Sequence, residues 1–138
     1  MRIFLDANIL FSAAKSEGAI RRLLELLLAA GHECWVDPFV VTEALRNLEL
    51  KAPDGLAALD RLLKRLEVAA VHTPDPALAV TLPLAEKDRP VLAAAIRLGC
   101  DVLVTGDRTH FGALYGRSIR GVAIHSPHSL AEVWPPHE

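Results

Sequence analysis

Four acidic residues of this 138-residue chain stand where the backbone must change direction, and together they could hold a divalent cation. Asp6 ends the first apolar run, Arg2 to Leu5, and Asp107 follows the run Val102-Leu103-Val104-Thr105. Glu43 lies one to two turns into the helix expected after a second short run, Cys34-Trp35-Val36. Asp88 stands just ahead of a helix that Pro90 opens. If the first and fourth strands are neighbours in a parallel sheet, Asp6 and Asp107 face one crevice at its carboxyl edge, where such sheets bind ligands. Glu43 and Asp88 then reach that crevice from helix termini. Carboxylates so close repel one another unless a cation neutralises them. An all-oxygen set of this kind selects Mg²⁺ or Mn²⁺ rather than Zn²⁺. Such an ion polarises a phosphodiester and acidifies water. Each acid also has an ordinary structural use: Asp6 and Asp88 as helix N-caps, Asp107 as a turn residue, Glu43 as a surface acid paired with Arg46.

The elements that must carry these residues follow from apolar spacing. Gly18 to Ala30 places Ile20, Leu23, Leu24, Leu27 and Leu28 at helical intervals, with Gly31 as a stop. Asp37-Pro38 reads as an N-cap followed by proline at the first helical position, opening a helix through Val41, Leu45 and Leu48. Leu56 to Leu66 is again helical, and Val68 to Val71 reads as a third strand. His72 through Pro90 holds four of the nine prolines, which predicts an irregular connection with at most a short helix. Val91 to Leu98 is a helix closed by Gly99, Asp101 to Thr105 a strand, Gly121 to His125 a last strand, and Pro127 to Val133 a last helical turn or two. Alternation of short apolar strands with helices predicts an α/β fold. The expected architecture is an open, doubly wound, mainly parallel sheet of about five strands with helices on both faces, one domain over residues 1–138.

Four segments carry a resemblance. Phe4-Leu5-Asp6-Ala7-Asn8-Ile9-Leu10, Val41-Thr42-Glu43-Ala44-Leu45, Lys87-Asp88-Arg89-Pro90-Val91-Leu92-Ala93-Ala94-Ala95 and Asp101-Val102-Leu103-Val104-Thr105-Gly106-Asp107 resemble, in that order, the PIN-domain family. The resemblance implies a Mg²⁺- or Mn²⁺-dependent endoribonuclease, commonly the toxin of a bacterial toxin–antitoxin pair of the VapC type. It implies an RNA substrate, an antitoxin protein as partner, and a homodimer. By position, Asp6, Glu43, Asp88 and Asp107 match the acidic metal-binding and catalytic set. Asn8 and Thr105 match small polar positions that hold those carboxylates and the attacking water.

The remaining charge is informative only locally. The net charge of −2 draws no nucleic acid globally, yet Gly106 to Ser126 carries Arg108, Arg117 and Arg120 against Asp107 alone. These arginines are candidate phosphate clamps, or a solvated surface. His110, three residues after Asp107, reads as a packed or solvated histidine ahead of a substrate contact. Leucine stripes (Leu23, Leu24, Leu27; Leu59, Leu62, Leu63) exceed what one small core needs, which points to a homodimer. An acidic residue as early as Asp6 spoils a signal peptide, no run is long enough to span a bilayer, and a cytoplasmic location is expected. Two cysteines without a CxxC predict neither a disulfide scaffold nor structural zinc. A haloacid-dehalogenase-like phosphatase also opens on a strand ending in Asp, but it wants a second acid where this chain has Asn8, and a partner lysine. A PIN-like module that only binds has no need to crowd negative charge.

Overall fold

The structure, a computed structural model, describes residues 1–134. Six strands make one sheet: β1 (Arg2–Leu5), β2 (Glu33–Val36), β3 (Glu67–Val68), β4 (Val102–Val104), β5 (Ser118–Ile119) and β6 (Val122–His125). Their order is β3-β2-β1-β4-β6-β5, parallel throughout except where β5 pairs antiparallel with β6. The α/β, mainly parallel architecture matches the expectation. The extra strand is β5, too short and too polar to stand out as an apolar run. The third strand is also shorter than expected: the ladder with β2 ends at Val68, and Ala69 adds only one further hydrogen bond, to the Val36 carbonyl.

The described residues form eight α-helices, seven between strands and the last after β6: α1 (Ala7–Lys15), α2 (Ala19–Ala29), α3 (Pro38–Lys51), α4 (Leu56–Leu63), α5 (Pro76–Ala79), α6 (Arg89–Arg97), α7 (Arg108–Phe111) and α8 (Pro127–Val133). α3 starts as its sequence dictates, with Asp37 accepting from the Val40 N–H at 3.0 Å and Pro38 at the first position. Gly99, at φ +67°, lets the chain leave α6 in a left-handed conformation toward β4. Gly55 serves packing: a Cβ there would lie 2.8 Å from the Ala14 carbonyl oxygen, so only glycine lets the turn before α4 press against α1.

β1, with Ile3, Phe4 and Leu5 fully buried, is the centre of the sheet's core, and α1 packs against α2, α3 and α4 beside it. The leucine stripes are used here. Leu23, Leu24, Leu27, Leu59 and Leu62 are buried inside the protomer, and Leu63 packs against the same core. Most of each stripe is therefore spent inside the protomer, with one face each of α2 and α4 against α1, and only Leu63 keeps part of its surface. Both cysteines are buried free thiols, pushed up by burial to about 12 for Cys34 and about 11 for Cys100, and so unreactive near neutral pH. No helix among the described residues is long and apolar enough to cross a membrane. From β1 the chain moves outward through β2 to β3, then returns to the other side of β1 as β4. Strand order thus reverses between β1 and β4, where open α/β sheets leave a crevice beyond their carboxyl ends.

Candidate active site

The adjacent ends of β1 and β4 are tied by one hydrogen-bond network. Asp6 caps α1 through Oδ1, which accepts from the Ala7 N–H at 2.7 Å. Its Oδ2 accepts from the Thr105 hydroxyl at 2.8 Å and from Asn8 Nδ2 at 3.2 Å. Asn8 Oδ1 accepts from the Gly106 N–H at 2.7 Å, and Thr105 Oγ1 accepts from the Asp107 N–H at 3.1 Å. Tyr115 donates its hydroxyl to the Thr105 carbonyl at 2.8 Å and fixes the loop from outside. Asp6 is only 6 % exposed, and that burial pushes its carboxyl above the ordinary range. Hydrogen bonds from Thr105, Ala7 and Asn8 oppose the shift, and the nearby charge of Glu43 adds to it. The capping role and the place at the crevice coexist in this one side chain.

Asp88, Asp107 and His110 form a second group in front of that network. Donor atoms of the three lie within 4.8 Å of one another. Asp107 caps the short α7 by accepting from the His110 N–H at 3.1 Å, and its other oxygen lies 2.6 Å from His110 Nδ1. A carboxylate only accepts, so that ring nitrogen carries the proton. Burial would raise the Asp107 carboxyl. The two bonds from His110, with the charges of His110 and Lys87, outweigh burial and hold it below the ordinary value. Asp88 occupies the N-cap position of α6, yet its side chain accepts no backbone N–H, so the capping alternative is not realised. Among the described residues, its Oδ2 is the one buried side-chain oxygen without a hydrogen-bond partner. An orphaned buried carboxylate oxygen is costly unless a donor or a cation meets it. Two carboxylates and an imidazole within that compass fit a divalent cation.

The other sequence candidates are placed less centrally. Glu43 is exposed on α3, near enough to Asp6 to act on its charge but outside the Asp88–Asp107–His110 group. Arg108, the first residue of α7, lies close enough to Tyr115 for its charge to oppose in part the rise that burial gives the Tyr115 hydroxyl, which stays above its ordinary value. Arg117 and Arg120 are not brought to the carboxylates. They lie along the β5–β6 hairpin at the sheet's outer edge, and Arg120 sits in the turn before β6, opposite the carboxyl end. Its guanidinium donates to Thr81 Oγ1 at 3.0 Å. His110 and Tyr115 are the residues that sequence reasoning underrated. For His110 the Asp107 cap engages only the backbone N–H, so the spacing by itself gave no sign of the side-chain contact.

A family model described as PIN domain matches residues 2–109. The chain belongs to the PIN-domain family. No curated protein matches the sequence. Among solved structures, the PIN fold of this chain resembles a chain of VapBC2 from Rickettsia felis bound to a promoter DNA fragment. That match has 20 % identity and TM-score 0.66, covering 91 % of this chain and 98 % of that one. DNA-bound VapBC from Salmonella typhimurium matches at 20 % identity and TM-score 0.65, covering 92 % and 98 %. VapBC-1 from nontypeable Haemophilus influenzae matches at 15 % identity and TM-score 0.60, covering 93 % and 99 %. At these identities the likeness is one of fold. In this PIN domain, the carboxylates at the β1 and β4 ends lie where the strand order reverses.

Proposed function

We propose that this PIN domain is a Mg²⁺- or Mn²⁺-dependent endoribonuclease and acts as the toxin of a toxin–antitoxin pair. The observation that carries the nuclease reading is Asp88, whose Oδ2 is buried without a partner and which has a carboxylate oxygen within 4.8 Å of the Asp107 and His110 donors in a PIN fold. Asp88 and Asp107 would hold the ion, with Asp6 and Glu43 adding negative charge behind them. When bound, a divalent ion polarises the phosphodiester and lowers the pKa of water. The chain's own residues do the positioning. Thr105 and Asn8 keep the Asp6 carboxyl facing the loop and hold the Asp107 and Gly106 amides in register. Arg108, next to Asp107 in the chain, offers a guanidinium for a substrate phosphate, whereas Arg120 is spent on Thr81.

The toxin reading draws support from the fold shared with chains of VapBC complexes, two of them bound to DNA. It includes an antitoxin protein as partner. A homodimer belongs to the same reading and must draw mainly on surface other than the buried leucines; light scattering at tens of micromolar gives the mass. The deciding experiment is RNA cleavage with Mg²⁺ or Mn²⁺, with and without EDTA, beside a phosphomonoesterase assay. Internal cleavage that EDTA abolishes is expected. Full cleavage in excess chelator, or phosphatase activity alone, would sink the proposal.

A further inference from the structure

We propose that His110 is a nitrogen ligand of the cation site, completing with Asp88 and Asp107 a set of two carboxylates and one imidazole that favours Mn²⁺ over Mg²⁺. This deepens the metal-dependent reading above and rests on it. Geometry makes the first argument. Donors around one octahedral ion at ~2.1 Å stand about 3 Å apart when adjacent and about 4.2 Å when opposite. The Asp88, Asp107 and His110 donors all fall within 4.8 Å of one another, so one ion can reach the three with small side-chain adjustment.

How His110 is held makes the second argument. The backbone N–H of His110 caps onto Asp107 Oδ1, so the residue that presents one candidate ligand also sets the place of the other. Nδ1 then lies 2.6 Å from Asp107 Oδ2, with one proton between two groups whose lone pairs converge. If the ring proton moves to Nε2, the Nδ1 lone pair is freed toward the same point. Asp88 adds an unmet demand beside that pair: it has a carboxylate oxygen within 4.8 Å of both, and its Oδ2 is buried without a partner. His110 remains 35 % exposed, so an ion and its waters have an open approach.

The donor type sets the preference. Mg²⁺ is bound by oxygen and gives up its waters reluctantly, whereas imidazole suits first-row transition ions and raises their affinity relative to Mg²⁺. The test is Mn²⁺ titration of the full chain followed by electron paramagnetic resonance, with Mg²⁺ as competitor. Electron spin-echo modulation reads directly whether ¹⁴N is bound to the Mn²⁺. His110→Asn keeps an N–H able to donate to Asp107 but removes the imidazole. The expected result is ¹⁴N modulation in the wild type that His110→Asn abolishes. The Mn²⁺-over-Mg²⁺ affinity ratio should also fall by at least about tenfold, the scale of a lost ligand-sphere partner. Mn²⁺ bound to the wild type without ¹⁴N modulation overturns the inference, as does an unchanged ratio in His110→Asn. If that bound Mn²⁺ is still lost in Asp88→Asn, the metal-dependent reading survives while the ligand role of His110 falls. No Mn²⁺ binding to the wild type at millimolar concentration overturns both.

Discussion

Asp6 and Asp107 follow neighbouring parallel strands, yet the fold pushes their carboxyls in opposite directions. Asp6 is buried behind β1 and β4 and surrounded by neutral donors, so burial raises it despite its hydrogen bonds. Asp107 stands at the rim beside an imidazole and a lysine charge, and these hold it low against the burial it does experience. Environments that push two like groups apart commonly assign them different tasks. Here the inner carboxyl serves as a fixed back wall that joins two strands. The outer one, with Asp88 and His110, is free to meet a ligand. Asp88 belongs to the outer group for a different reason: it has no hydrogen-bond partner to lose.

The sharpest way to break this division is at Asp88. Asp88→Asn should lower RNA cleavage by about a hundredfold or more, the scale of a lost electrostatic contact in a transition state. Stabilisation by metal should vanish with it, a term worth roughly 2.7 kcal/mol at 100 times Kd. The metal-free melting temperature should stay at the wild-type value or rise slightly, since one of several repelling carboxylates is gone. Wild-type cleavage in this variant would return Asp88 to a merely structural place.

Thr105→Val tests the inner group. It leaves Asp6 Oδ2 without its shortest bond and the Asp107 N–H without an acceptor, at a cost of about 2 kcal/mol in urea unfolding near neutral pH. Because the Asp6 carboxyl is already raised and would rise further, the ionic part of this loss is full only above the variant's folded pKa. It disappears on acidification while the pH is still above the ordinary aspartate value of ~3.9. A loss that persists unchanged to lower pH would show that Asp6 is not the group responsible.

His110→Ala tests the outer group with the opposite window. The stabilisation that comes from holding Asp107 low is present above the unfolded pKa and is lost as pH falls through the depressed folded value. The expected cost near neutral pH is about 1 kcal/mol or less, because the pair is partly exposed and screened. The gap to wild type should close only below ~pH 3.9, later on acidification than for Thr105→Val. Thermal melts of both variants across pH 3 to 7 give the order in which the two gaps close, and the reverse order would contradict the comparison. The smallest effect is expected at Gly106→Ala. The added Cβ would come 3.3 Å from Asn8 Oδ1, so Asn8 must give by a few tenths of an ångström. Stability should change by about 0.5 kcal/mol or less, as usual away from severe clashes. Cleavage should fall severalfold, through the displaced link between the two strand ends. No change in rate would mean that the network tolerates more slack than its bond lengths suggest.

Much of this was legible locally. The apolar runs of β1, β2 and β4, the Asp37-Pro38 start of α3, the Gly99 exit from α6 and the acids at strand ends are all settled by side-chain size, backbone freedom and short-range hydrogen bonding. The family resemblance rests on those same short segments. The bounds of β3 were not legible, since its ladder with β2 decides where it stops, and the two-residue β5 carries no apolar run and exists only through its hairpin pairing with β6. The same limit applied to the leucine stripes, whose destination depends on α1 lying between α2 and α4.

The site divides in the same way. That Asp6, Asp88 and Asp107 end or begin elements is a property of their immediate neighbours in the chain. That Asp6 is sealed in while Asp107 is not follows from strand order, which places β4 beside β1 and brings Thr105 against Asp6 across 99 residues of chain. The same order delivers α6 with an uncapped Asp88 to the crevice and turns His110 from a residue one turn past a strand into the partner of a carboxylate. Local sterics and hydrogen bonding act over a few residues, so a linear pattern records them. Burial and charge coupling act through space between segments far apart in the chain, and these only the assembled sheet could decide.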